Sequence, residues 1–278
     1  MDLLITKASG EKVPYDGRKL RESLQKAGAD ELTVREIAKE VESNLVSGIS
    51  SRKIYRQAYA LLKKIEKPSA AKYKLKTAVM ELGPSGYPFE KFIGEILNYE
   101  GYKTQVGIVM QGQGITHEVD VFGIKGNKQI MVECKFGNTA NKKVDVRVSM
   151  YIHSRFRDLR NAWEDNPAYQ GREYEGWIVT NSRFSEDALS YGVHYGMNLI
   201  SWAFPQQGNL RDLIEESSLY PLTSLTSITK KEKQQLLDKG IVLCRDLMGK
   251  DELFEELGVS RTRKKKAFTE IEGLCDCF

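Results

Sequence analysis

A chain of 278 residues can bury one large hydrophobic core or two to three small ones, and 41% apolar with 29% charged residues is an ordinary globular balance. A formal charge of +4 permits nucleic-acid binding without arguing for it, so that case must rest on local patches. No run approaches a membrane span, the start MDLLITKASGEK lacks the order of a secretory leader, and Cys134, Cys244, Cys275 and Cys277 have no framework spacing. Together these predict a reducing, cytoplasmic setting and no membrane partner.

Residues 1–83 read as a short hairpin followed by helices. LLITKASGEKVPY has two extended pieces around Ser9-Gly10-Glu11. Asp16 is the expected cap of a helix carrying Leu20 and Leu24 that stops at Gly28, and Thr33 the expected cap of one carrying Ile37, Val41 and Leu45. Ser50 or Ser51 caps RKIYRQAYALLKKIEK, which Pro68 ends, and Ser69 opens AAKYKLKTAVMELG. A glycine turn lets backbone approach phosphate, and two lysines near a helix start neutralise it. Lys7, Gly10, the aromatic Tyr15 and Lys19 resemble the pattern of the ATP-cone, the regulatory nucleotide-binding domain of ribonucleotide reductases and their repressor. Ala8 stands where many members have arginine. The resemblance implies that ATP or dATP binds as an allosteric effector without turnover; a helical bundle with a basic face is the alternative.

GPSGYP is the strongest punctuation in the chain and marks a boundary at residues 83–84. Beyond it, Pro88 suits the first turn of a helix with an apolar stripe of Phe89, Phe92, Ile93, Ile96 and Leu97. Strands YKTQVGIVM, THEVDVFGI and KQIMVECKF follow, then a polar helix over about 144–163, and then strand, helix and strand in GWIVTN, SEDALSYGVHYG and NLISW. Residues 84–221 thus predict an α/β core.

GIKGNKQI reads as a hairpin with Gly126-Asn127 as its loop, so that Lys125 pairs with Lys128 and, continuing the ladder, Asp120 falls opposite Glu133 and Glu118 opposite Lys135. All four then share one face with Phe122 and Met131, while Val119, Val121, Val132 and Cys134 share the other. Facing carboxylates repel unless a cation sits between them, and Mg²⁺ takes such oxygen ligands. An ammonium beside it fits metal-assisted phosphodiester hydrolysis. A solvated polar face of mixed charge is the bland alternative. His117 points to the opposite face as a core or edge residue, and His153 and His194 have no partner spacing and read as structural.

Asp120 followed by Glu133-Cys134-Lys135 across a hairpin resembles the PD-(D/E)xK nuclease superfamily, in particular Mrr-like restriction endonucleases, and also archaeal Holliday-junction resolvases. YPFEKFIGEILNYEGYKT resembles the family's opening helix and WIVTNSRFSEDALSYGVHYGMNLISW the strand-helix-strand after its catalytic hairpin. Val119 replaces the proline of the family's name, and Glu133 stands where Mrr-like members often have glutamine. The resemblance implies an Mg²⁺- or Mn²⁺-dependent endonuclease. Asp120 and Glu133 would be metal ligands, the Cys134 carbonyl a third, Lys135 the base or electrostatic stabiliser, and Glu90 and Glu118 auxiliary. It implies DNA as substrate (RNA is left open), a homodimer or higher oligomer, and a restriction or defence role.

Residues 222–278 are helix-rich, with Gly240 and Gly258 at helix edges and a basic run RTRKKK at 261–266. They look like helix-hairpin-helix units that grip phosphate without reading sequence. The combined expectation is three domains, 1–83, 84–221 and 222–278, in a nucleotide-regulated DNA endonuclease. Two alternatives stand beside it: a non-catalytic nucleotide sensor that binds nucleic acid, and a resolvase-like nuclease for branched DNA.

Overall fold

The computed structural model describes residues 3–7, 10–139 and 142–275; Ala8, Ser9 and Cys277 lie outside them. The chain divides into two compact units: residues 1–75 with 224–229 and 254–278, and residues 76–223 with 230–253.

The first unit opens with antiparallel strands β1 (Leu4–Thr6) and β2 (Lys12–Pro14), Ile5 opposite Val13. Helix α1 (Gly17–Lys26) is capped by Asp16, which accepts from the Arg18 amide, and ends ahead of Gly28 at φ +88°. Helix α2 (Glu31–Ser43) is capped by Asp30 rather than by Thr33. Thr33 lies in the first turn, and its N–H is one of the free amides that the Asp30 carboxylate satisfies, at 2.7 Å. Ser50 caps α3 (Ser51–Ile65). Pro68 does not merely end that helix: it sits in the first turn of α4 (Lys67–Tyr73), where a missing N–H costs nothing. The single helix expected from Ser69 is instead split at Lys74 between α4 and α5 (Leu75–Met80). Leu20, Leu24, Ile37, Val41, Ile54 and Leu62 form the core.

The second unit takes in α5 and continues with α6 (Tyr87–Tyr99), followed by β3 (Lys103–Gln111), β4 (Thr116–Lys125) and β5 (Lys128–Lys135). Next come β6 (Lys143–Val144), the long α7 (Val146–Glu164) capped by Asp145, β7 (Glu173–Thr180), β8 (Arg183–Phe184), α8 (Glu186–His194) capped by Ser185, and β9 (Asn198–Ile200). The main sheet runs β3-β4-β5-β7-β9, antiparallel through β5 and parallel beyond, while β6 and β8 form a separate parallel pair. The stripe of α6 buries Phe89, Phe92, Ile93, Ile96 and Leu97 against β3, β4 and β5. A second core, with Val119, Phe122, Met131, Phe156, Trp163 and Leu199, lies beneath α7 and α8. This is a mixed α/β fold with its sheet between helical layers.

Helix α9 (Leu210–Ser217), which the sequence patterns did not single out, is capped by Asn209. Helices α10 (Lys230–Asp238) and α11 (Asp251–Glu256) are followed by Gly240 and Gly258 in the left-handed region, at φ +79° and +65°. Helix α12 (Arg261–Leu274) packs on α4 within the first unit. The two helices approach so closely that a Cβ at Gly273 would lie 2.5 Å from Pro68. Glu270, 1% exposed, accepts from both the amide and the hydroxyl of Thr226 and of Ser227. Among the described residues no helix is long and apolar enough to cross a membrane.

Candidate active site

The β4–β5 hairpin turns at Gly126-Asn127 with Gly126 at φ +57°, and its ladder runs Lys125–Lys128, Ile124–Gln129, Gly123–Ile130, Phe122–Met131 and Val121–Val132. That is the register the two-residue loop predicts. The ladder then stops. Asp120 does not pair with Glu133 across it; one oxygen of its carboxylate accepts the backbone N–H of Cys134 at 2.7 Å, replacing a strand hydrogen bond with a side-chain one.

The cause lies on the other side of β4. The β3–β4 ladder pairs Val106 with Val121 and Ile108 with Val119 but omits Gly107, which would face Asp120 and has φ +66°. The alternation of faces slips there in both strands. Phe122 packs beneath α7, yet so does Val119, three residues away, and Ile108 joins the same cluster while Val106 lies against Gly94 of α6. Period-2 alternation alone would put Val119 with Val121. Two expectations are corrected by this slip. Val119 is not on the Val121 face, and Glu118, between the α7-facing His117 and Val119, does not share the face of Glu133. Irregularities of this kind recur where a strand must re-aim a side chain.

Glu133 is 5% exposed and fully engaged: Lys135 Nζ lies 2.5 Å from Oε1, and Arg155 Nη1 of α7 lies 2.6 Å from Oε2. Arg155 also donates to the Glu118 carbonyl. A buried carboxylate needs such partners, and here it has two cations. Asp120 is pushed up to about 6, chiefly by burial and then by the charge of Glu133, while the Cys134 amide, Lys135 and Arg155 pull the other way. Glu90, on α6, is raised to about 7 by burial and then by Asp120, Glu118 and Glu133. The structure therefore gathers Glu90, Asp120, Glu133 and Lys135 into one electrostatic neighbourhood, with Glu118 at its edge.

Neighbouring residues hold this corner in place. Thr180 Oγ1 donates to the Lys135 carbonyl at 2.6 Å, and the Asn181 side chain pairs with both the N–H and the carbonyl of Gly137. Cys134 is buried, and burial pushes its thiol well above the ordinary range, which suits a packing residue and not a nucleophile. Buried His117 is 2.8 Å from Asp158, whose carboxylate also takes the amides of Gly114 and Ile115 and so closes the β3–β4 loop. His153 lies 2.9 Å from the Tyr191 hydroxyl. Sequence reasoning missed Arg155, Thr180 and Asn181. Arg155 had one available signal: it borders the buried helical stripe of Ile152, Phe156 and Leu159.

Carboxylate oxygens that repel one another suit a hard divalent cation. Asp120 keeps one oxygen outside its bond to Cys134, and Glu90 is raised by burial and then by its acidic neighbours. The positive charge at Glu133 is supplied by Lys135 and Arg155, and among the described residues no three His, Cys, Asp or Glu side chains form a ready-made metal cluster. The donor chemistry fits a divalent cation, with Glu133 giving up one of its two partners.

In the first unit, a cavity of about 570 Å³ is lined by Lys7, Tyr15, Asp16, Arg18, Lys19 and Arg21. An apolar recess of about 260 Å³ shares Lys7, Tyr15 and Lys19 with it and adds Ile5, Leu20, Ile54, Tyr55 and Tyr73. Tyr55 and Tyr73 stack there at 4.8 Å. Burial and Glu42 push Tyr15 up to about 12. Gly10, at φ +86°, donates its N–H to the Lys7 carbonyl and lines neither recess.

The central fold is of the restriction-endonuclease type and is joined to an ATP-cone domain. The chain matches the ATP cone domain over residues 3–77, a restriction endonuclease family over 83–203 and the AF1548-like C-terminal family over 220–275. It is 30% identical to an uncharacterised protein of Archaeoglobus fulgidus over 181 residues, which are 65% of this chain and 98% of that one. The crystal structure of AF1548, a protein of unknown function, is similar with a TM-score of 0.55 at 28% identity, covering 68% of this chain and 98% of that one. The DNA modification-dependent restriction endonuclease AspBHI is more distant, with a TM-score of 0.32, 16% identity, and coverage of 61% of this chain and 39% of its own. The chain belongs to the AF1548-like family.

Proposed function

We propose that this protein is an Mg²⁺-dependent endonuclease that cuts DNA and is regulated by ATP or dATP bound in the cone. The observation that carries this reading is the convergence of Glu90, Asp120, Glu133 and Lys135 at the slipped end of the hairpin, where burial and then neighbouring acids raise Glu90 and Asp120. Asp120 and Glu90, with Glu133, would hold a divalent cation, which would supply charge stabilisation for the phosphoryl group. Lys135 is positioned by Glu133 and is 37% exposed, so its ammonium can reach a phosphate oxygen or orient the attacking water. Arg155 holds the second oxygen of Glu133 and would release it to the cation. In the cone, Lys7, Arg18, Lys19 and Arg21 supply charge for a triphosphate, and the Tyr55–Tyr73 recess supplies an apolar slot for a base. A homodimer and a restriction or defence role follow by analogy with related nucleases.

The test is incubation of supercoiled plasmid with protein and Mg²⁺, with and without ATP or dATP. Wild-type protein is expected to nick or linearise it, and Lys135→Ala to lose about 100-fold or more in rate. The double variant Lys7→Ala and Lys19→Ala is expected to cut without responding to nucleotide. Cleavage by none of them, with DNA binding retained, would select the non-catalytic sensor instead.

A further inference from the structure

The sheet edge that carries the acidic corner also carries a cluster of the opposite sign. Strands β5, β7 and β9 run parallel and end side by side at Lys135, Thr180 and Ile200. Arg183 stands three residues beyond Thr180, and Trp202 two beyond Ile200. Open α/β sheets take their ligands outside the carboxyl ends of such strands. In the β6–β8 pair Lys143 lies directly beside Arg183, and Val144 beside Phe184. Val144 and Phe184 are buried beneath α7 and α8, so alternation turns both cations outward, and both are exposed. Lys76 of α5 completes the group, with its Nζ over the Trp202 ring at 5.6 Å.

Like charges set side by side on a ladder repel. The Lys76 ammonium is held below its ordinary value by partial burial and then by the charge of Arg183, so the third cation feels the second. None of the three has an ion-pair partner among the described residues. Asp145, beside β6, is taken by Arg147, while Glu186 and Asp187 form the first turn of α8, where the helix dipole favours acids. Unpaired cations that repel one another mirror the acidic corner, and an anion relieves them as a cation relieves the acids. Phosphate suits the set, because an arginine fork can take two of its oxygens and each lysine adds a point charge.

We infer that Lys76, Lys143 and Arg183 form a phosphate site that holds the substrate strand a few nucleotides from the bond presented to the acidic corner. The ends of β5 and β9 are two strand spacings apart, about 10 Å, which a nucleic-acid strand covers in about three nucleotides. The cations sit on an open edge, which suits a backbone that runs on past them better than a small free anion. Contacts of this kind fix register and do not read sequence. The inference rests on the endonuclease reading and deepens it: the substrate is gripped at a second phosphate, away from the acids that would hold the cation.

The experiment is fluorescence anisotropy with full-length protein, without divalent metal, on two labelled DNA duplexes of unrelated sequence and about 20 base pairs, between about 50 and 200 mM salt. Lys76→Met and Arg183→Met are each expected to weaken binding at the lowest salt by about 5- to 10-fold on both sequences. Each should also reduce the slope of log affinity against log salt by about 1, while Arg183→Lys keeps the wild-type slope. Melting temperatures of the two Met variants are expected at or above that of wild type, since each relieves repulsion. An unchanged slope in either Met variant overturns the site, as does an Arg183→Lys protein no better than Arg183→Met or a wild type that binds neither duplex. Inorganic phosphate is the second arm. If it raises the melting temperature of wild type but not of Arg183→Met, and the two bind duplex alike, the site takes a free anion and the inference is wrong. Binding is read without cleavage. An uncut plasmid together with reduced slopes in the Met variants would remove the nuclease reading and leave the phosphate site standing; a cut plasmid with unchanged slopes would do the reverse.

Discussion

Asp120 and Glu90 are carboxyl groups whose ordinary values near four are raised to about 6 and about 7. The sign of the resulting pH dependence follows directly. Below about pH 4 both are protonated in the folded and the unfolded chain, and no penalty exists. As pH rises through the window up to about 7, the unfolded chain ionises freely while the buried groups resist, so stability is lost. Thermal melts without divalent cation should show the wild type losing stability between about pH 4.5 and about pH 8. Asp120→Asn should be close to wild type at the lower pH and more stable by about 1–3 kcal/mol at the higher, because its amide oxygen still accepts from Cys134 without ionising. Mg²⁺ should raise the wild-type melting temperature at about pH 8 and leave that of Asp120→Asn nearly unchanged. A pH-independent wild type would contradict the crowding of these acids.

At the scale of elements, the decisive feature is the slip where Gly107 meets Asp120. A residue with a Cβ at φ +66° costs about 1–2 kcal/mol, and regular pairing there would turn the Asp120 carboxylate away from the Cys134 amide. Gly107→Ala should lower thermal stability by about that amount and, on the proposed nuclease reading, reduce plasmid cleavage by more than 10-fold by misplacing Asp120. Full activity in this variant would mean that the slip is incidental. The same feature marks how far the sequence could be read. The strands, α6 and α7 were legible from their periods, and the Gly126-Asn127 loop sufficed to set the register. The slip was not, because an alternating pattern carries no record of backbone φ, although a glycine inside VGIV was a hint. Arg155 was illegible for another reason: its partner is chosen by how α7 crosses β5, a fact of tertiary packing.

For the molecule as a whole, GPSGYP suggests a boundary at residues 83–84, whereas the compact units divide between Leu75 and Lys76, and the return of α12 to the N-terminal unit was not legible, since nothing local links Glu270 to Thr226 or Gly273 to Pro68. Glu270 satisfies two amides and two hydroxyls while almost fully buried. Glu270→Ala leaves those donors stranded and should destabilise this unit by about 2–4 kcal/mol. Hydrogen exchange read by mass spectrometry should show faster exchange in α4 and α12, with the sheet of β3, β4, β5, β7 and β9 unaffected. Exchange unchanged in both helices would mean that α12 contributes nothing to the cone's stability.

The return of α12 has a consequence during synthesis. A ribosome completes every strand of the central sheet before it reaches residue 261, so that sheet can form while the unit that includes the N-terminal helices still lacks its last helix. The order of translation therefore sets a brief interval in which the two units are unequally finished.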